Sequence, residues 1–169
     1  MSGASAAVAT VVIALLLALA AACGGTPSSL AEPAPCAQPT PGPERTAESA
    51  YRAAVVRGVG LLRELNEDWV EGHPSRKISN NAGFRADFAA YADESICIAA
   101  ALRDLQAPFP KYSVFERAFD AEMEKTIEVQ NRGRTAVSRR NSSDFKGWNR
   151  RIDARTGEIA AVIAAMPPR

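Results

Sequence analysis

Between Glu44 and Met166 apolar residues recur at spacings of three and four, the period of helices that bury one face. In the first segment Tyr51, Val55, Gly58, Leu62, Leu65 and Trp69 alternate steps of four and three, as in a bundle. Gly72 and Pro74 supply its cap and stop. The second repeats the pattern through Phe84, Phe88, Tyr91, Ser95, Ile98, Leu102 and Leu105, with Asn81 as its cap and Pro108 and Pro110 after it. The third opens on Ser113-Val114-Phe115-Glu116, which reads as a capping box. Its stripe of Phe115, Phe119, Met123, Ile127 and Val137 turns polar at Thr126, Gln130, Gly133 and Arg134. The fourth starts near Ser142 and carries Phe145, Trp148, Ile152, Ile159, Val162, Ile163 and Met166 on one face before Pro167-Pro168.

No segment alternates as a strand would, so the pattern predicts an all-α domain over 44–166. Helices of roughly 22 to 28 residues would be about 35 to 40 Å long. Short connections make up-down-up-down the simplest antiparallel four-helix bundle. Two long helical hairpins with looser packing are the structural alternative. Gly58-Val59-Gly60 lacks the third glycine and the preceding strand of a dinucleotide fingerprint, and reads as close helix packing.

Ahead of this domain the sequence changes character. Ala6 to Ala22 is an almost unbroken apolar run that ends in Ala20-Ala21-Ala22-Cys23-Gly24-Gly25. Small residues leading into a cysteine and two glycines resemble the lipobox of bacterial lipoproteins. The chain departs from that pattern at Ala20, where leucine is usual, and in having no Lys or Arg before Arg45. The resemblance implies a signal peptide over 1–22, with Cys23 lipidated as the first mature residue on the extracytoplasmic face of a bacterial cell membrane. Two alternatives remain open, an uncleaved single membrane span and cleavage at an ordinary A-x-A site. Residues 23–43, rich in Pro and Gly, form a tether of roughly 20 residues that could reach about 60 Å.

With Cys23 given to lipid, Cys36 and Cys97 are left as a pair for which an oxidising compartment favours a disulfide; two unrelated thiols are the alternative. Sixteen Arg against four Lys fits a bacterial source. A formal net charge of +1 gives no general pull toward nucleic acid. Glu116 to Glu128 is mostly acidic and Arg132 to Arg155 mostly basic, which reads as dipole compensation and solvation. A patch for lipid headgroups, anionic wall polymers or an acidic partner is the alternative.

Candidate chemistry is sparse. His73 is the single histidine and reads as a solvated loop residue. There is no Glu-x-x-His, Cys-x-x-Cys, His-Glu-x-x-His or Gly-x-Ser-x-Gly motif, so no metal, cofactor or catalytic residue is assigned. The carboxylates alternate with Arg and Lys and read as solvated faces. At one end of an antiparallel bundle Trp69, Phe84, Phe88, Phe145 and Trp148 converge opposite Gln130, Gly133 and Arg134. Such rings either plug the core or frame a site for a small apolar or anionic ligand, oriented by Arg134. The expected function is therefore non-catalytic: a membrane-anchored protein binding an envelope protein or wall polymer, with a small-molecule sensor or scavenger as the alternative.

Overall fold

The computed structural model describes residues 46–75, 77–78 and 81–168. Cys23, Cys36, the apolar run and the tether lie outside them. Among the described residues there are four long helices and no strand: α1 (Ala47–Gly72), α2 (Ala82–Arg103), α3 (Ser113–Ser138) and α4 (Ser142–Ala164). A 3₁₀ turn, Pro110–Tyr112, leads into α3. The all-α four-helix architecture is the one the apolar stripes predict.

Three of the helix starts are held by side chains. Thr46 and Ser49 form a reciprocal capping box: Ser49 N–H donates to Thr46 Oγ1 at 3.1 Å and Thr46 N–H donates to Ser49 Oγ at 3.2 Å. Asn81 Oδ1 accepts from Gly83 N–H at 2.9 Å. Asn141 Oδ1 accepts from Ser143 N–H and Asp144 N–H, each at 3.1 Å. Each such cap is worth about 1 kcal/mol. The capping box expected at Ser113-Glu116 does not form. The 3₁₀ turn already sets Tyr112 in a helical conformation, so α3 starts without a side-chain cap. Glu116 Oε1 instead accepts from Ala107 N–H at 2.8 Å, tying down the α2–α3 connection.

Between α3 and α4 only three residues intervene. Asn141 N–H donates to Ala136 O at 2.8 Å and Arg140 N–H to Val137 O at 3.1 Å, the paired bonds of a Schellman stop. The motif requires a left-handed residue after the cap. Arg140 fills that place with φ 53°, where glycine is usual.

Contacts along the helices fix the up-down-up-down order. The end of α1 (Trp69) packs on the start of α2 (Phe88), which meets Trp148 at the start of α4. At the other end Tyr51 of α1 meets Tyr112 and Phe115. Successive helices pack side by side. A Cβ added at Gly58 would lie 2.4 Å from Leu102 Cδ2, so α1 and α2 touch closely there. Gly60 has nothing within 4 Å of such an atom, and close packing is confined to Gly58.

The ring of helices is closed unevenly. α2 is packed extensively against α3, and α3 against α4, whereas α1 and α4 meet at few positions. Two devices close their shared seam at its ends. One is the aromatic group around Trp69 and Trp148. The other is the tail after α4, where Arg52 Nη1 donates both to Tyr112 OH, at 3.1 Å, and to the Pro167 carbonyl. Tyr112 OH in turn donates to Glu48 Oε1 at 2.8 Å, and Lys111 Nζ lies 2.7 Å from the same oxygen.

Candidate functional site

At the aromatic end, six of the seven residues picked out from the sequence come together. Trp69 packs on Phe84 and Phe88 with ring centroids 5.6 and 5.1 Å apart. Trp148 stacks on Phe145 at 5.0 Å and meets Phe88 edge-on at 4.9 Å. Gln130 is buried behind them: its Oε1 accepts from Trp148 Nε1–H at 3.3 Å and its Nε2–H donates to Tyr91 OH at 3.1 Å. Tyr91 OH passes the chain on, donating to Asn66 Oδ1 at 3.1 Å.

These rings are packed core. A methyl carbon on Gly133 would fall 2.7 Å from Trp148 and 2.8 Å from Phe88. Arg134, the seventh residue, does not join them. One helical step past the inward Gly133, it is turned outward and exposed, and its Nη1 lies 2.8 Å from Asp93 Oδ1. His73 is not simply solvated, as expected from the sequence. Its ring stacks on Trp69 at 3.8 Å, and its Nδ1–H donates to the Trp69 carbonyl at 3.2 Å. Half-buried Cys97 lies on α2, and its thiol is not free.

The middle of the α1–α4 seam holds what the sequence reading missed. There a cleft of about 440 Å³ opens, within the roughly 300–1,000 Å³ usual for small-molecule sites. Val59 and Leu62 of α1 face Ile152, Ile159, Ala160, Ile163 and Ala164 of α4 across it. Tyr91 and Ser95 of α2, with Thr126 and Gln130 of α3, line it from the far side. Arg63, Asn66, Arg155 and Thr156 complete the lining.

The cleft gathers the polar groups of the interior. Among the described residues the buried polar or charged side chains are Ser95, Thr126, Gln130 and Arg155. All four line this cleft. Taking polar atoms out of water is costly unless they are bonded, so their concentration on one cavity is unlike ordinary core.

Arg155, only 5% exposed, is the most demanding of them. Its Nη1 lies 2.5 Å from Glu122 Oε2 and also pairs with Glu158. Its Nη2–H donates to the Glu122 carbonyl at 2.7 Å. The Nε–H is buried without a hydrogen-bond acceptor among the described residues. Burial pushes the Glu122 carboxyl upward, but hydrogen bonds from Lys125 and Arg155 outweigh it and hold the group below the usual carboxylate range. Glu122 is therefore ionised near neutral pH.

The lining carries no carboxylate, imidazole or thiol. It offers apolar walls, hydroxyls, two amides and one buried cation, a set suited to holding a molecule and orienting it. No group of three or more His, Cys, Asp or Glu is placed to hold a metal ion among the described residues. Fold and lining together define a four-helix bundle with an interhelical cleft. Comparison with models of protein families, with curated proteins and with solved structures found no match for this chain.

Proposed function

We propose that this chain is a non-catalytic binding protein that takes up an apolar small molecule in the α1–α4 cleft. The observation that carries this reading is the gathering of Ser95, Thr126, Gln130 and Arg155 on a single apolar-walled cavity. A core that merely filled space would place hydrocarbon at those positions. A polar floor beneath apolar walls instead supplies orientation together with affinity. It ranks a small ligand ahead of the envelope protein or wall polymer expected from sequence. The address inferred from the lipobox resemblance, with lipid on Cys23, a tether through residue 43 and a Cys36–Cys97 bridge, belongs to the same proposal. It would hold the cleft at the membrane surface, where apolar molecules concentrate.

Titration of the purified full-length chain with the uncharged fluorophore N-phenyl-1-naphthylamine tests the reading. Saturable enhancement is expected, and Ala160→Phe, which narrows the cleft from α4, should weaken it at least tenfold with helicity retained. Ala118→Phe, on the exposed face of α3, is the matched control. Equal binding by both variants would sink the proposal.

A further inference from the structure

The electrostatics of the cleft narrow its ligand further, on the reading that the cleft is the binding site. Four charges cluster where Arg155 enters the interior: Arg155 and Lys125, against Glu122 and Glu158. They sum to zero. At the cleft mouth Arg63 is paired in the same way with Glu67, at 3.6 Å. An anionic head would meet a guanidinium already claimed by two carboxylates, and a cationic head would find no carboxylate on the lining, Glu122 and Glu158 being held by Arg155 and Lys125 beyond it. Either would be desolvated without a free counter-charge, a large cost for an ion and a small one for a hydroxyl or carbonyl.

Of the buried atoms in this region without a hydrogen-bond partner among the described residues, Glu122 Oε2 already faces the Arg155 guanidinium at 2.5 Å, which leaves as the unmet demand one donor, the Nε–H of Arg155. It calls for an acceptor atom, not for a charge. Along α4 the lining then runs from Arg155 through Ile159 and Ala160 to Ile163 and Ala164, a hydrocarbon path leading away from the polar groups.

We infer that the cleft takes an uncharged amphipath: a hydrocarbon chain or ring system along Ile159 and Ile163, with one neutral acceptor head, a hydroxyl, ester or amide, toward Arg155. This is the chemistry of neutral lipids and their fragments.

Displacement of N-phenyl-1-naphthylamine from the full-length protein by decanol, decanoate and decylammonium tests the head group at constant chain length. Decanol should displace the probe at a concentration at least tenfold below that of either ion. Glu158→Gln, which removes one exposed carboxylate from the cluster and leaves it a net positive charge, should shrink the preference of decanol over decanoate at least tenfold. Preference for either ion in the wild type, or an unchanged ratio in Glu158→Gln, overturns the inference while the cleft remains the binding site. Failure of all three to displace the probe also overturns it. If probe binding is in addition insensitive to Ala160→Phe, the proposed function falls with it.

Discussion

Alanine at two glycines should move stability in opposite directions, and the structure sets both sizes. Gly60 and Gly133 lie inside α1 and α3, so replacing either removes the same helix penalty, about 1 kcal/mol. At Gly60 the new Cβ meets nothing within 4 Å, and the gain should appear whole. At Gly133 it would sit 2.7 Å from Trp148 Cδ1 and Nε1 and 2.8 Å from Phe88 Cζ. That is about 1 Å inside ordinary carbon contact. Neither ring has room to retreat: Trp148 is stacked on Phe145 and bonded to Gln130, and Phe88 touches rings on α1 and α4. Overpacking of this kind costs typically 1–3 kcal/mol, and a clash with two immobile rings belongs at the top of that range. Gly133→Ala should therefore lose about 2 kcal/mol net and Gly60→Ala gain up to about 1 kcal/mol. Urea unfolding followed by circular dichroism and by tryptophan fluorescence reads both, as shifts in midpoint at constant slope. A Gly133→Ala protein as stable as the wild type would refute the packed reading of the aromatic end.

Other expectations follow from single features. Arg140→Gly should stabilise by about 1 kcal/mol, because glycine occupies the left-handed Schellman position without a Cβ penalty; an unchanged urea midpoint would contradict this. The Asp120 carboxyl is held above its ordinary value by burial and then by the Glu116 charge, and its Oδ1 has no hydrogen-bond partner among the described residues. A raised carboxyl binds its proton more tightly folded than unfolded, so it detracts from stability at neutral pH and ceases to do so below 3.8, its ordinary value. Asp120→Asn should accordingly gain stability at neutral pH, with the gain fading as pH falls through that range; a gain of equal size in acid would show that the charge is not its source. If Cys36 and Cys97 are bridged, thiol counting on the unreduced protein finds neither free, and reduction costs at most about 4 kcal/mol for a loop of about 60 residues. If Cys23 is acylated, fatty-acid labelling disappears in Cys23→Ala.

The helices were legible because a buried face imposes its period on the sequence, and Asn81 and Gly58 could be read for the same local reasons. The start of α3 was not. Ser113 and Glu116 have capping-box spacing, but the preceding Pro110–Tyr112 turn is a short structure whose effect on the next helix no periodicity records. The convergence of Trp69, Phe88 and Trp148 could be derived from antiparallel order. Arg134 was drawn inward with them because adjacency in sequence was allowed to stand for adjacency in space, although a helix turns consecutive residues about 100° apart. The cleft escaped notice because stripes say which faces are buried, not which seam of a ring stays open. Its trace was nevertheless present. Ser95, Thr126 and Gln130 interrupt apolar stripes at similar depth in the bundle, and Arg155, counted among exposed cations, stands between Ile152 and Ile159 on the same helix.

The thin seam also bears on how the molecule opens. α1 is secured mainly by α2, whereas α3 is packed through extensive faces against both α2 and α4. Local unfolding takes the cheapest cooperative unit first. In hydrogen exchange α1 should thus behave as a separate unit, opening at a lower free energy than the three helices it leaves behind. On the proposed function, that partial opening would widen the cleft without global unfolding. A molecule lodged between α1 and α4 supplies the packing the seam lacks, so its residence would register as slowed exchange along α1, at amides that it never touches.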